Sequence, residues 1–204
     1  MLAQIPGALC MRNVIRLVAF LNLAYFAIEF AVALSIGSVS LFADSIDFLE
    51  DASVNFLILL ALGWSAEARS RVGMMLAGIL LVPGLATLWM AWHKFNVPLA
   101  PDALPLSVTG LGALAINLSC AFMLARYRAA GGSLTRAAFL SARNDALANV
   151  AIIGAGIVTV FLPKVWPDLI VGLGIAALNA DAAREVFLAA REERAAAAIP
   201  STLS

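Results

Sequence analysis

Histidine and cysteine are nearly absent from this chain: of 204 residues, one is histidine, His93, and two are cysteine, Cys10 and Cys120. Two thiols, the second inside an apolar run, allow neither a disulfide framework nor a thiolate zinc cluster, and both are expected to be inert. Charge is equally sparse. Charged residues make up 13% of the chain, 13 basic against 13 acidic, with no basic tract, which argues against nucleic acid as a partner. His93 stands at a helix end beside Trp89, Trp92 and Lys94 and reads as an interfacial residue in preference to a metal ligand. No metalloprotease motif or nucleophile elbow accompanies the acidic residues, so the chain is not read as an enzyme and no cofactor is expected.

What is present in abundance is apolar surface. At 63% hydrophobic residues and a mean hydropathy of +0.96, the chain is too apolar for a soluble domain of its size. The fold class expected is an all-α integral membrane protein. Six runs, near 13–36, 39–63, 72–93, 104–126, 137–162 and 166–188, are each long enough to cross a hydrocarbon core, which takes about 20 helical residues. Gly37 and Ser38, Glu67 to Arg71, Asn96 to Pro105, Gly131 with Gly132, and Pro163 to Pro167 mark the breaks. The first run, from Val14 to Ile36, exceeds the core of a signal peptide, contains Glu29 and lacks a small-residue cleavage site after it, so it is kept as a mature helix. Basic residues orient the bundle. Arg12, Arg16, Arg69, Arg71, Arg126, Arg128, Arg136, Arg184, Arg191 and Arg194 fall on one side, whereas only Lys94 and Lys164 fall on the other, which places both termini in the cytoplasm. Trp89, Trp92 and Trp166 then anchor the outer surface. In this scheme 1–12 is a cytoplasmic segment, 13–190 the transmembrane domain, and 191–204 a short disordered cytoplasmic tail.

Acidic residues inside these runs carry the functional signal. Asp44, Asp47, Glu50 and Asp51 lie within the apolar stretch from Val39 to Leu62, and carboxylates at membrane depth default to an ion or proton pathway. Residues advance by about 100° each on a helix, which brings Asp44, Asp47 and Asp51 within roughly 60° of one another. Glu50 falls off that stripe. An interfacial amphipathic helix is the competing reading, but Phe48, Leu49 and the run from Phe56 to Leu60 leave too little polar face for it. Asn22 and Glu29 share a face of the first helix, and Ser141, Asp145 and Asn149 descend the fifth at intervals of four. Asn117 and Asn179 are read as interhelical hydrogen-bonding groups. Asp145 either pairs with Arg143 or completes a site with the second helix; Arg143, two residues away, points elsewhere, which favours the site.

The segment from Gly37 to Ala52, with Asp47 and Asp51 four apart, resembles the second helix of the cation diffusion facilitator family, where His or Asp is followed four residues later by Asp. The stretch from Ser141 to Asn149 resembles that family's other half-site, with Ser141 where the first ligand is expected and Asp145 at the second. Asn22 with Glu29, and the run from Trp166 to Ala176, are similar to its first and sixth spans, so the likeness covers roughly residues 13 to 190. The family's C-terminal cytoplasmic domain and its His-rich loop between the fourth and fifth helices have no counterpart in this sequence.

The resemblance implies a six-helix, dimeric exporter of divalent metal ions that exchanges metal for protons across the cell membrane, the inner one in a Gram-negative bacterium. Asp47, Asp51 and Asp145 would hold the cation between the second and fifth helices, with Ser141 and Asn149 as weak or outlying oxygen donors. Such an all-oxygen shell leans toward manganese, magnesium or ferrous iron relative to zinc. Small residues on the fourth helix, Gly110, Gly112, Ala113 and Ala115, offer a surface for dimer contacts. The alternative is a non-transporting membrane subunit or degenerate paralogue acting as an assembly partner.

Overall fold

The computed structural model describes residues 6–61, 85–125 and 132–178, with 180 and 184; within these, side chains are described except at 6–10, 58, 60, 61 and 132–143. Six helices appear among the described residues: α1, Pro6–Ile36; α2, Val39–Ala61; α3, over 85–96; α4, Ala103–Ala125; α5, Gly132–Phe161; and α6, Trp166–Leu178. Three segments, Met11–Ile36, Ala103–Ala125 and Asn144–Phe161, are long and apolar enough to cross a membrane on those grounds alone. Four carboxylates set α2 apart from them despite its 23 residues. The break at 67–71, the break at 131, Asn179 and the tail after Ala190 lie outside the described residues.

The turn between α1 and α2 follows from its sequence. Gly37 has a φ of 65°, which a residue with a Cβ adopts only at a cost, and the Ser38 amide donates back to the Ala33 carbonyl at 3.0 Å to close α1. Ser38 then caps α2, its Oγ accepting from the Leu41 amide at 3.1 Å. A helix ends and another begins within two residues.

Packing pairs α1 with α2 and α4 with α5, and then joins the pairs through α1 with α4 and α2 with α5. A cluster of Ala33, Leu41, Phe42, Ala43, Ile46, Leu106, Ile152 and Ile175 draws five of the helices together. α4 buries the face made by Leu106, Thr109, Gly110, Ala113, Asn117, Cys120, Ala121 and Leu124, a spacing of three and four that defines one stripe. Its opposite face, with Leu104, Val108, Leu111 and Phe122, is exposed.

That arrangement corrects one expectation. Gly110 and Gly112 do not form a free surface for a second copy: a Cβ on Gly110 would stand 2.9 Å from Ile152, and one on Gly112 would stand 2.3 Å from the Tyr25 hydroxyl. Ala113 is fully buried. Gly110, Gly112 and Ala113 are used inside one chain, where the glycines let α1 and α5 approach the α4 backbone, whereas Ala115 is exposed. Tyr25 exploits that approach by donating from its hydroxyl to the Thr109 carbonyl at 2.6 Å.

Candidate metal centre

On α2, Asp44 is completely buried, whereas Asp47, Glu50 and Asp51 are half-buried, as is Asp145 on α5. Asp47 lies within electrostatic reach of Asp145 across the α2–α5 contact and of Asp44, Glu50 and Asp51 along its own helix. Asp47 and Asp145, one from each half-site named from the sequence, are thus neighbours electrostatically. Their carboxylates do not close on one another: among the described residues no three His, Cys, Asp or Glu side chains converge tightly enough to enclose an ion. Asp51 and Asp145 both have polar or electrostatic partners of their own. The side chain of Ser141, on α5, lies outside those described, as does that of Arg143.

Asn149, expected as a weak or outlying oxygen donor, has partners on two helices. Its Nδ2 donates to Asp44 Oδ2 at 2.6 Å and its Oδ1 accepts from Asn117 Nδ2 at 3.2 Å, so the amide of α5 is spent tying α2 to α4. Asn117 thereby forms an interhelical bond. Asn55, one turn past Asp51, donates to the Asp51 carbonyl at 2.8 Å and stiffens the local helix.

A second group of acids lies deeper. Glu29 of α1 is completely buried and lies within electrostatic reach of Asp44 and of Asp47. As carboxylates neither group can donate, and among the described residues both Glu29 oxygens and Asp44 Oδ1 have no donor. Two turns back on α1, Asn22 is fully buried, its Oδ1 opposite the Cys120 thiol at 3.7 Å and its Nδ2 without a partner among the described residues. Cys120 is a buried free thiol.

At the far end of α2, Asp168 of α6 is fully buried and accepts four hydrogen bonds: from Ser38 Oγ and Ser40 Oγ at 2.6 Å each, from the Val39 amide at 2.8 Å and from the Ser40 amide at 3.2 Å. A carboxylate on the first amides of a helix satisfies orphan donors and complements the helix dipole. Gly172, one turn on, permits this contact, since a Cβ there would stand 2.7 Å from the Ser40 nitrogen. Lys94 lies in the same corner, within electrostatic reach of Asp168, and its ammonium donates to the Leu99 carbonyl. His93 and the three tryptophans expected as anchors, Trp89, Trp92 and Trp166, are exposed, and Phe95 meets Trp166 edge to face at 5.9 Å.

Helical arithmetic named a stripe of Asp44, Asp47 and Asp51 but did not name two further features. The Glu29–Asp44 proximity needed the crossing of α1 over α2, which periodicity does not supply. Asp168 had a usable signal in Ser38-Val39-Ser40, a capping sequence opening a helix whose first turn has no acidic residue of its own.

Adjacent carboxylates contributed by two helices of an apolar bundle are what a transmembrane cation pathway requires. A model of the cation efflux transmembrane domain matches residues 15–193. This chain belongs to the cation efflux family. No curated protein matches it significantly. As a cation efflux protein it is a multi-pass membrane transporter of metal cations and not an enzyme.

Proposed function

We propose that this cation efflux protein exports a divalent metal ion in exchange for protons, binding it between α2 and α5 through Asp47, Asp51 and Asp145. The supporting observation is the approach of Asp47 to Asp145 across the α2–α5 contact, with Asp51 one turn farther along α2. Ser141 completes the α5 half-site as a weak oxygen donor. Asn149 acts from farther out by holding Asp44 in place. Six transmembrane helices, cytoplasmic termini, a location in the cell membrane and a homodimer complete this reading, with metal ion, proton and lipid as partners.

Exchange with protons follows from electrostatics. Moving a doubly charged ion out against a cell-negative potential costs about 2.3 kcal/mol per charge per 100 mV, and taking in one proton halves the charge moved. Metal binding needs deprotonated carboxylates, and their mutual repulsion favours protonation once the metal leaves.

Transport by the purified chain in proteoliposomes, with a panel of divalent ions and an imposed pH gradient, tests the proposal. Asp51→Asn and Asp145→Asn should abolish uptake at matched protein levels, and Glu50→Gln, off the stripe, should reduce it less. Equal loss from all three would overturn the site. A chain that moves no ion at all would instead be a membrane subunit for another transporter.

A further inference from the structure

Three buried polar side chains from three helices form one chain of hydrogen bonds: Asn117 of α4 donates to Asn149 of α5, which donates to Asp44 of α2. Asn149 and Asp44 are 0% exposed and Asn117 2%, so the three have to satisfy one another. The direction of the chain is set from one end. Asp44, as a carboxylate, only accepts, so Asn149 has to offer it Nδ2, and the amide oxygen then points away toward α4. A buried amide oxygen needs a donor, and Asn117 supplies its Nδ2 at 3.2 Å. Turned over, the Asn149 amide would set oxygen against carboxylate on one side and N–H against N–H on the other.

The same chain fixes how α2 lies along α5. Ring contacts of Phe20 with Phe56, Tyr25 with Phe48 and Phe30 with Phe42 make α1 antiparallel to α2. The contacts of Tyr25 with Thr109 and of Asn22 with Cys120 make it antiparallel to α4. α5 in turn runs back along α4, where a Cβ on Gly110 would stand 2.9 Å from Ile152 and one on Gly156 would strike the Ser107 hydroxyl. α2 and α5 are therefore antiparallel. One turn from the Asn149–Asp44 bond, forward on α2 and backward on α5, Asp47 comes level with Asp145. A slip of one turn, about 5.4 Å, would set Asp145 against a different layer of α2. Because the glycine approaches keep α4 and α5 from sliding past each other, Asn117 and Asn149 meet α2 as one rigid piece. We propose that Asn117 is a positioning residue: by holding the Asn149 oxygen it fixes that amide's N–H on Asp44 and locks the register that sets Asp47 beside Asp145.

Asn117 acts on the ion only through Asn149. It also keeps the Asn149 amide oxygen turned to α4, so that oxygen is withheld from a cation held by the carboxylates. Removing a group that orients a metal site in this way typically weakens metal affinity by about 10- to 100-fold. The effect on the ion rests on the metal reading above; the hydrogen-bond chain and the register it sets do not.

The experiment is a double-mutant cycle on the full chain between Asn117→Asp and Asp44→Asn. Asn117→Asp alone sets an acceptor against the Asn149 oxygen. With Asp44→Asn added, the chain can run in reverse: Asn149 turns over, donates to the carboxylate at 117 and accepts from the amide at 44. Two quantities are read in detergent: thermal unfolding without metal, and the affinity for manganese chloride by titration. Asn117→Asp should lower the unfolding temperature and weaken manganese binding about tenfold or more, and both losses should be smaller in the Asp44→Asn background than in the wild type. If Asn117→Asp does not fold, Asn117→Leu, which removes the donor at similar size, should weaken manganese binding without recovery from Asp44→Asn. Losses in unfolding temperature that simply add overturn the hydrogen-bond chain. Coupled stability with manganese affinity unmoved by either substitution at 117 overturns the positioning role and leaves Asn117 as packing alone. Manganese affinity that Asp145→Asn leaves unmoved overturns the metal reading, and the unfolding cycle then decides the chain by itself.

Discussion

At the scale of single residues, α5 separates what alternating polar positions can disclose from what they cannot. Ser141, Asp145 and Asn149 share a stripe by spacing, and α5 packs against α2, the helix that the family resemblance paired with it. Spacing says nothing of which partner each side chain selects, and Asn149 is bound to Asp44 and Asn117. Ser141 gives the sharpest test of ion choice. Restoring an imidazole one turn from Asp145 with Ser141→His should raise zinc or cadmium transport relative to manganese severalfold, read as a ratio of initial rates under one pH gradient, since imidazole favours borderline metals over hard ones. An unchanged ratio in a well-folded variant would mean that position 141 does not face the ion.

Among the elements, α2 combines the most legible and the least legible parts of the chain. Its start was visible in Gly37 and Ser38, and its carboxylates in the interruption of an apolar run. Its anchor was not, because Asp168 stands more than a hundred residues away and reaches Ser38 and Ser40 only through the packing of α6. Removing that carboxylate leaves four donors seeking an acceptor, at roughly 1–3 kcal/mol for each that stays buried and unmet. Asp168→Ala should therefore destabilise the protein by about 3 kcal/mol or more in thermal unfolding of detergent-solubilised samples, and Asp168→Asn, which keeps one acceptor oxygen, by less. A loss below about 1 kcal/mol for the alanine variant would show that water replaces the carboxylate. α4 was misjudged for a related reason: small residues mark close approach, but whether the approaching helix is the chain's own or another's is decided by packing.

For the whole molecule, composition alone was enough for an all-helical membrane protein, because apolar excess of this size has few other homes. Orientation rests on the arginine distribution and is open to direct measurement. Reporter fusions after residues near Ala68, Gly131 and Ala198 should report cytoplasm, and one near Pro101 should report the outside; a cytoplasmic signal at Pro101 would overturn the topology. A dimer, with Gly110 and Gly112 already engaged within the chain, has to use other surfaces.

The Asp168 clamp also gives α2 the mechanics of a lever pinned at one end. At about 1.5 Å of rise per residue, Asp44 sits roughly 8 Å from the pin at Val39 and Asp51 roughly 18 Å from it. A tilt of about 10° around that pin carries Asp51 sideways by roughly 3 Å but Asp44 by little more than 1 Å. The stripe on α2 thus has a still end at Asp44 and a travelling end at Asp51, so one rotation can shift Asp51 along the neighbouring helices while leaving Asp44 nearly in place.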